Sequence, residues 1–115
     1  MTISIESYSQ RREFVKLPTE IPVRYKFLSK EVEISEEAVF EGSTSQIGGG
    51  GLMLHGKIPS YNWIPALLMG KIHLGVNLLL PSLDHAIKGL CQVAWIEEIP
   101  ENRDRCTLGL RFIDI

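Results

Sequence analysis

Apolar and polar residues alternate along several segments of this chain, with the two-residue period of half-buried β-strands. The alternation is clearest over residues 70–80, where every second residue from Ile72 to Leu80 is apolar and branched. Further strands are predicted at residues 22–28, 38–47, 52–55, 86–99 and 106–113. Six short strands separated by turn residues predict an all-β fold, a six-stranded, Greek-key-like antiparallel β-barrel with little helix and no unpaired strand edge.

The segment at residues 56–68 departs from the strand pattern. Its apolar positions have helical spacing, but Pro59 and Pro65 limit any helix to one or two turns. We interpret the segment as an insertion that packs on the barrel. Two alternatives stay open for its aromatic rings: Tyr61 and Trp63 either cap the core or offer a surface to a partner.

The sequence predicts a single domain. Residues 1–19 have no clear period and are predicted to form an N-terminal arm, and residues 20–115 are predicted to form the barrel. The chain has 115 residues and a mass of 13.0 kDa. A chain of this size buries about two-thirds of the surface that its unfolded form exposes.

Charge and hydropathy exclude several classes of partner. The net charge is -2 and the pI is about 5.9, which argues against binding to nucleic acid or to an anionic membrane surface. Residues 1–10 lack the apolar centre of a secretory signal, and polar residues interrupt the apolar stretch at residues 63–80. We therefore expect a cytoplasmic protein with no nucleic-acid partner and no membrane insertion.

Few residues suggest catalysis or metal binding. Cys91 and Cys106 lack the spacing of a zinc or redox motif, so in a reducing cytoplasm we expect two buried or half-buried thiols on neighbouring strands. The three histidines are widely separated, and residues 51–57 resemble a P-loop until Ile58, where that motif has Ser or Thr. We predict no enzyme, no metal and no cofactor.

Two short segments carry the most informative chemistry. Arg11, Arg12 and Lys16 lie within a basic stretch just ahead of the first strand, and Gln46 precedes the run of glycines from Gly48 to Gly51. Taken alone, the basic residues suit a solvated arm and the glycines a tight turn. Glycines also permit positive φ angles and close approach of the backbone to a phosphate.

In this order, the two segments resemble the motifs of the PilZ family, the bacterial cyclic di-GMP receptor domains. The family carries Arg-x-x-x-Arg, followed by Asp or Asn, an apolar residue, Ser, two variable residues and Gly. This chain has Arg12-x-x-x-Lys16 and then Gln46-Ile47-Gly48-Gly49-Gly50-Gly51. The resemblance continues through Val93-Ala94-Trp95 and Gly109-Leu110-Arg111-Phe112, so it covers residues 11–115.

The resemblance implies a binding site for cyclic di-GMP. Arg12, flanked by Arg11, would contact the nucleotide, and Lys16 would neutralise a phosphate without the planar fork of an arginine. Gln46 would face a guanine edge with one acceptor oxygen. Gly48, which lacks the hydroxyl of the family's Ser, and Gly51 would let the backbone approach the ligand.

Three hypotheses follow for the function. In the first, the arm moves on nucleotide binding and signals to an effector protein. In the second, the altered motif marks a degenerate PilZ domain that does not bind cyclic di-GMP and acts as a protein-interaction module. The third is an unrelated barrel. The sequence leaves a homodimer open, and it predicts that the helix which family members often carry after the last strand is absent.

Overall fold

The computed structural model describes residues 15–30, 38–80, 86–98 and 105–114. The strands are β1 (Val15–Leu28), β2 (Phe40–Ile47), β3 (Gly51–Gly56), β4 (His73–Leu78), β5 (Ile87–Glu98) and β6 (Cys106–Asp114). Between β3 and β4 lie a 3-10 turn (Tyr61–Trp63) and one short helix, α1 (Ile64–Leu68). The chain is therefore all-β with little helix, as the alternation predicts.

The six strands form a closed antiparallel barrel in the order β1-β2-β3-β6-β5-β4. The connection after β3 crosses the end of the barrel, so that β4 pairs with β1 rather than with β3. Each strand thus has a neighbour on both sides, and no edge is left unpaired. This confirms the predicted fold class.

The alternating apolar residues fill the interior. Val23, Tyr25 and Phe27 of β1 are buried, as are Leu52 and Leu54 of β3. The Tyr25 hydroxyl accepts a hydrogen bond from the Lys57 amide at 2.7 Å and donates to the Lys57 carbonyl at 2.8 Å. The polar end of a buried tyrosine is thereby satisfied, and it fixes the chain just after β3.

The insertion closes one end of the barrel. Leu67 of α1 is fully buried, and the Trp63 ring packs edge-on against Phe27 with ring centroids 5.4 Å apart. Trp63 therefore caps the core, whereas Tyr61 is 48% exposed. The helix ends at Leu68, and Gly70, two residues later, has a positive φ of 78°. The Lys71 amide donates a hydrogen bond to the Ala66 carbonyl, as is typical of a helix that a glycine terminates.

The starts of two strands differ from the sequence prediction by more than two residues. β1 begins at Val15 rather than at residue 22, so residues 15–19, which we assigned to the arm, are its first part. Alternation is weak there because the register between β1 and β2 shifts between Lys16 and Ile21. β4 begins at His73 rather than at residue 70, because the end of α1 takes up the preceding residues.

The two cysteines lie on neighbouring strands and are buried, as expected, but they are far apart. Cys91 pairs with Phe112, and Cys106 pairs with Glu98. The residues between these positions separate the thiols by about 20 Å along β6. The two described cysteines therefore form no disulfide, and both act as small core residues.

Burial of Cys91 predicts a loss of stability at alkaline pH. Desolvation raises the pKa of this thiol from 9.0 to about 12, so the unfolded chain ionises at a lower pH than the folded one. The free energy of unfolding should fall as the pH rises above 9.0, because the unfolded state then binds fewer protons. Urea unfolding of the parent and of Cys91→Ala, from neutral to alkaline pH, should show the shallower decline in the variant. Identical declines would contradict the assignment.

Candidate functional site

Strand register brings the two motif segments together. Lys16 pairs with Gln46, and Val15 pairs with Ile47, at the start of β1 and the end of β2. The backbones of the two segments are therefore hydrogen-bonded neighbours at this end of the sheet. Arg11 and Arg12 lie outside the described residues, so their contribution to this site stays a prediction.

The pairing continues across the outside of the barrel. Gln46 lies opposite Met53, Met53 opposite Gly109, and Gly109 opposite Trp95. Because both sequence neighbours of Met53 are buried in the core, this row faces outward. We call Gln46, Met53, Gly109 and Trp95 the outer row, and the backbone of Lys16 pairs with its first residue.

Trp95 is the prominent side chain of the outer row. Its indole lies directly over Gly109, where a Cβ would come within 2.1 Å of the indole nitrogen. The ring is 40% exposed, so one face rests on the β6 backbone while the residue remains open to solvent. An aromatic ring in this position provides a stacking surface for a flat ligand.

A guanidinium group lies in the next row. Arg111 pairs with Gly51 on β3 and with Gln92 on β5. Its side chain is exposed and donates a hydrogen bond to the Gln92 amide oxygen at 3.0 Å. The site therefore has a forked donor on the barrel wall, beside the glycine turn.

The glycine turn is tightly fitted to β6. The Gly48 amide donates to the Gly51 carbonyl at 2.9 Å, and the Phe112 amide donates to the Gly50 carbonyl at 2.9 Å. A Cβ on Gly51 would lie 1.9 Å from the Leu110 carbonyl oxygen, whereas one on Gly49 would meet nothing within 4 Å. Close strand packing, rather than a positive φ, explains Gly51, since Gly70 is the one described glycine with a positive φ.

A side-chain network supports the strand that carries Gln46. Ser45 is an extra residue in β2, at a bulge between Thr44 and Gln46. The Ser45 hydroxyl lies 3.2 Å from the His55 Nε2 atom, and His55 Nδ1 lies 3.1 Å from the Thr107 hydroxyl. The three residues link β2, β3 and β6 and hold the bulge next to the site.

Trp95, Arg111 and Gln92 are site residues that sequence reasoning missed. The family motifs contained Trp95 and Arg111, but only as marks of the fold. A strict two-residue period would put Trp95 on the same face as the buried Val93, and an irregularity between those residues turns the ring outward. No signal in the sequence identifies that bulge.

Two further features of the structure concern metals and membranes. Within the described ranges, no group of three or more histidine, cysteine, aspartate or glutamate side chains is placed to hold a metal ion. Among the helical residues that the structure describes, no helix is long and apolar enough to cross a membrane.

The structure is thus a small closed β-barrel domain with an amide, a guanidinium and an exposed aromatic ring on one outer face. The family model for the PilZ domain matches residues 10–115, which is nearly the whole chain. The chain belongs to the PilZ domain family. Neither the curated proteins nor the solved structures contain a match to it.

The packing of the glycine turn can be tested by a pair of substitutions. Gly51→Ala should lower the free energy of unfolding by about 1–3 kcal/mol, because the new methyl group overlaps the Leu110 carbonyl and β3 must move away from β6. Gly49→Ala, two residues away in the same turn, should stay within about 0.5 kcal/mol of the parent. Urea denaturation of both variants measures the difference. Equal stability in the two variants would refute the close approach.

Proposed function

We propose that this domain is a cyclic di-GMP receptor that binds the nucleotide along the outer row. PilZ domains are in general receptors for this ligand, and the proposal assigns that role to the present chain. The observation that carries it is the strand register. This register puts Lys16 opposite Gln46 in a row that ends at the Trp95 ring, next to the Arg111 guanidinium.

The chemistry of the row suits the parts of the ligand. Cyclic di-GMP has two phosphates and two guanines, so its receptor needs cations, a stacking surface and acceptors for a guanine edge. Lys16 supplies a point charge, and Arg111 supplies a planar fork that suits a phosphate or the O6 and N7 atoms of guanine. Trp95 supplies the stacking surface, and Gln46 supplies one amide oxygen.

The proposal accounts for the altered motif. Relative to the family pattern, the chain lacks the second arginine, the carboxylate or asparagine, and the serine hydroxyl, at Lys16, Gln46 and Gly48. Arg111 already carries a planar guanidinium on the same face. Its hydrogen bond to the Gln92 amide is exposed to solvent, and the acceptor of that bond has no net charge. A phosphate carries a negative charge that the amide oxygen lacks, so it competes readily with this bond for the guanidinium.

The output in this proposal is a change in the position of the arm. Arg12 and Arg11 lie three and four residues before Val15, where β1 begins, so their attraction to the bound phosphates pulls residues 1–14 towards the outer row. The surface presented to an effector protein then differs between the free and bound states. The alternative, a degenerate domain that binds protein only, is motivated by the altered motif, with the rings of the insertion as its possible surface. Trp63 packs against the core, which leaves Tyr61 as the exposed ring of that surface.

Calorimetric titration with cyclic di-GMP tests the proposed function. The parent should bind saturably, and Arg12→Ala should weaken binding by about tenfold or more, because a charge-assisted hydrogen bond to phosphate is worth about 1.5–3 kcal/mol. Arg24→Ala removes an exposed arginine from strand β1 away from the outer row and is the matched control. Absence of both heat and thermal stabilisation at high ligand would point to the degenerate module.

The role of the Trp95 ring can be separated from that of the cations. Trp95→Ala should weaken cyclic di-GMP binding by about 1–3 kcal/mol, the usual value of one base stacked on an aromatic ring. Gly109→Ala keeps the indole but displaces it from the β6 backbone, so it should weaken binding in the same direction. Tyr61→Ala removes an exposed ring from the insertion and should leave the dissociation constant unchanged. Unaltered binding in Trp95→Ala would remove Trp95 from the site.

A further inference from the structure

A second concave surface lies on β1, β4 and β5, away from the outer row. Two rows of paired residues form it: Lys26, Gly75 and Leu90 in one, and Arg24, Asn77 and Lys88 in the other. Gly75 has no side chain between its two neighbours, and the resulting groove has a volume of about 580 Å³. We call it the β4 groove.

Packing of the barrel does not require the glycine at the floor of the β4 groove. A Cβ on Gly75 would meet only the Leu28 Cδ1 atom at 3.3 Å and the Lys26 Cγ atom at 3.9 Å, both on flexible side chains. At Gly51 and Gly109, by contrast, a Cβ would lie 1.9 Å and 2.1 Å from its nearest neighbours. The groove is thus open space that an ordinary side chain would fill.

The walls of the groove carry a local excess of positive charge. Among the described residues that line the groove, Arg24, Lys26 and Lys88 are exposed cations and Asp114 is the one acidic residue. Arg24 lies 3.7 Å from Glu41, but both side chains are well exposed, and a surface pair of this kind contributes little. The described residues that line this face therefore carry more positive than negative charge, although the whole chain has a net charge of -2.

The groove also has an apolar part. Leu28 and Leu90 line it, together with Val39, which is 58% exposed and is among the large apolar side chains that the described structure leaves in solvent. Exposed apolar surface beside a charged rim is typical of a protein-binding surface. A small anion would meet the cations and leave these apolar side chains uncovered.

We propose that the β4 groove docks an acidic, amphipathic segment of a partner protein. Carboxylates of the segment pair with Arg24, Lys26 and Lys88, and its apolar side chains cover Val39 and Leu90. The groove is open to solvent, which suits a peptide that lies along it better than a small ligand, since small ligands are mostly enclosed by their sites. The proposal does not depend on nucleotide binding at the outer row.

Synthetic peptides provide the probe. A short fluorescein-labelled peptide of alternating glutamate and leucine should bind the full chain, as measured by fluorescence anisotropy. The corresponding glutamate–serine peptide should bind at least about tenfold more weakly, because it cannot cover the apolar part. A lysine–leucine peptide and a thymidine oligonucleotide should not bind. Equal binding of the glutamate–serine peptide, or binding of the oligonucleotide alone, would overturn the proposal.

Charge-reversal variants of the chain test whether the acidic peptide binds at the β4 groove. The double variant Lys26→Glu with Lys88→Glu should bind the acidic peptide about tenfold or more weakly, because the introduced glutamates repel the glutamates of the peptide. The matched control reverses two exposed lysines outside the groove, Lys57→Glu with Lys71→Glu, and should bind within about twofold of the parent. An equal loss in both double variants would mean attraction to net charge alone and would refute a docking site.

A filled groove provides a test that leaves the charges unchanged. Gly75→Gln places a side chain in the open space, so it should abolish peptide binding while circular dichroism shows an intact fold. Amide chemical shifts in the parent should move on peptide addition at Gly75, Asn77 and Leu90. Shifts confined to the outer row, or undiminished binding by Gly75→Gln, would overturn the proposal. Cyclic di-GMP titration of the same variant should be unaffected, which separates this result from the proposed receptor function.

Discussion

The pairing of β1 with both β2 and β4 is the constraint on which the rest of the structure depends. It closes the barrel, so every residue of β1 that pairs on both sides has a fixed face. Its alternate apolar residues enter the core, and Arg24 and Lys26 between them must lie outside. The start of the same strand sets Lys16 opposite Gln46. One strand therefore positions the core, the outer row and the β4 groove together.

Glycines occupy positions on the outer face of the barrel for two different physical reasons. At Gly51 and Gly109 a methyl group would overlap the Leu110 carbonyl and the Trp95 ring, so packing demands the missing side chain. At Gly75 the neighbours leave room, and the missing side chain creates a surface. The sequence has glycine at all three positions and does not distinguish the two cases. Only the distance to the neighbouring strand separates a glycine that permits packing from one that opens a groove.

Much of the fold could be predicted from the sequence because a closed barrel alternates inward and outward residues with a constant period. The period fails at bulges, and the candidate site lies beside two of them. The extra residue Ser45 sets the position of Gln46 on β2, and the irregularity between Val93 and Trp95 turns the indole outward. Bulges arise from packing between strands, which no local pattern encodes. The sequence likewise predicts that Cys91 and Cys106 lie on neighbouring strands. It does not predict how far apart the two cysteines lie along β6, because that distance depends on the register between the strands.

The departures from the family motif have a geometric consequence. Replacement of an arginine by Lys16 removes a planar fork from the start of β1, which adjoins the arm. Arg111 carries a fork on β6, in the wall of the barrel, where its backbone is paired on both sides rather than part of the arm. Binding energy in the proposed receptor thus comes more from a rigid surface and less from a segment that must be ordered. Since ordering a segment opposes binding through lost conformational entropy, a wall-based site retains affinity with a weaker arm motif. In the proposed receptor, such a site would also transmit less of that affinity into movement of the arm, so the strength of binding and the size of the conformational response would be separate properties.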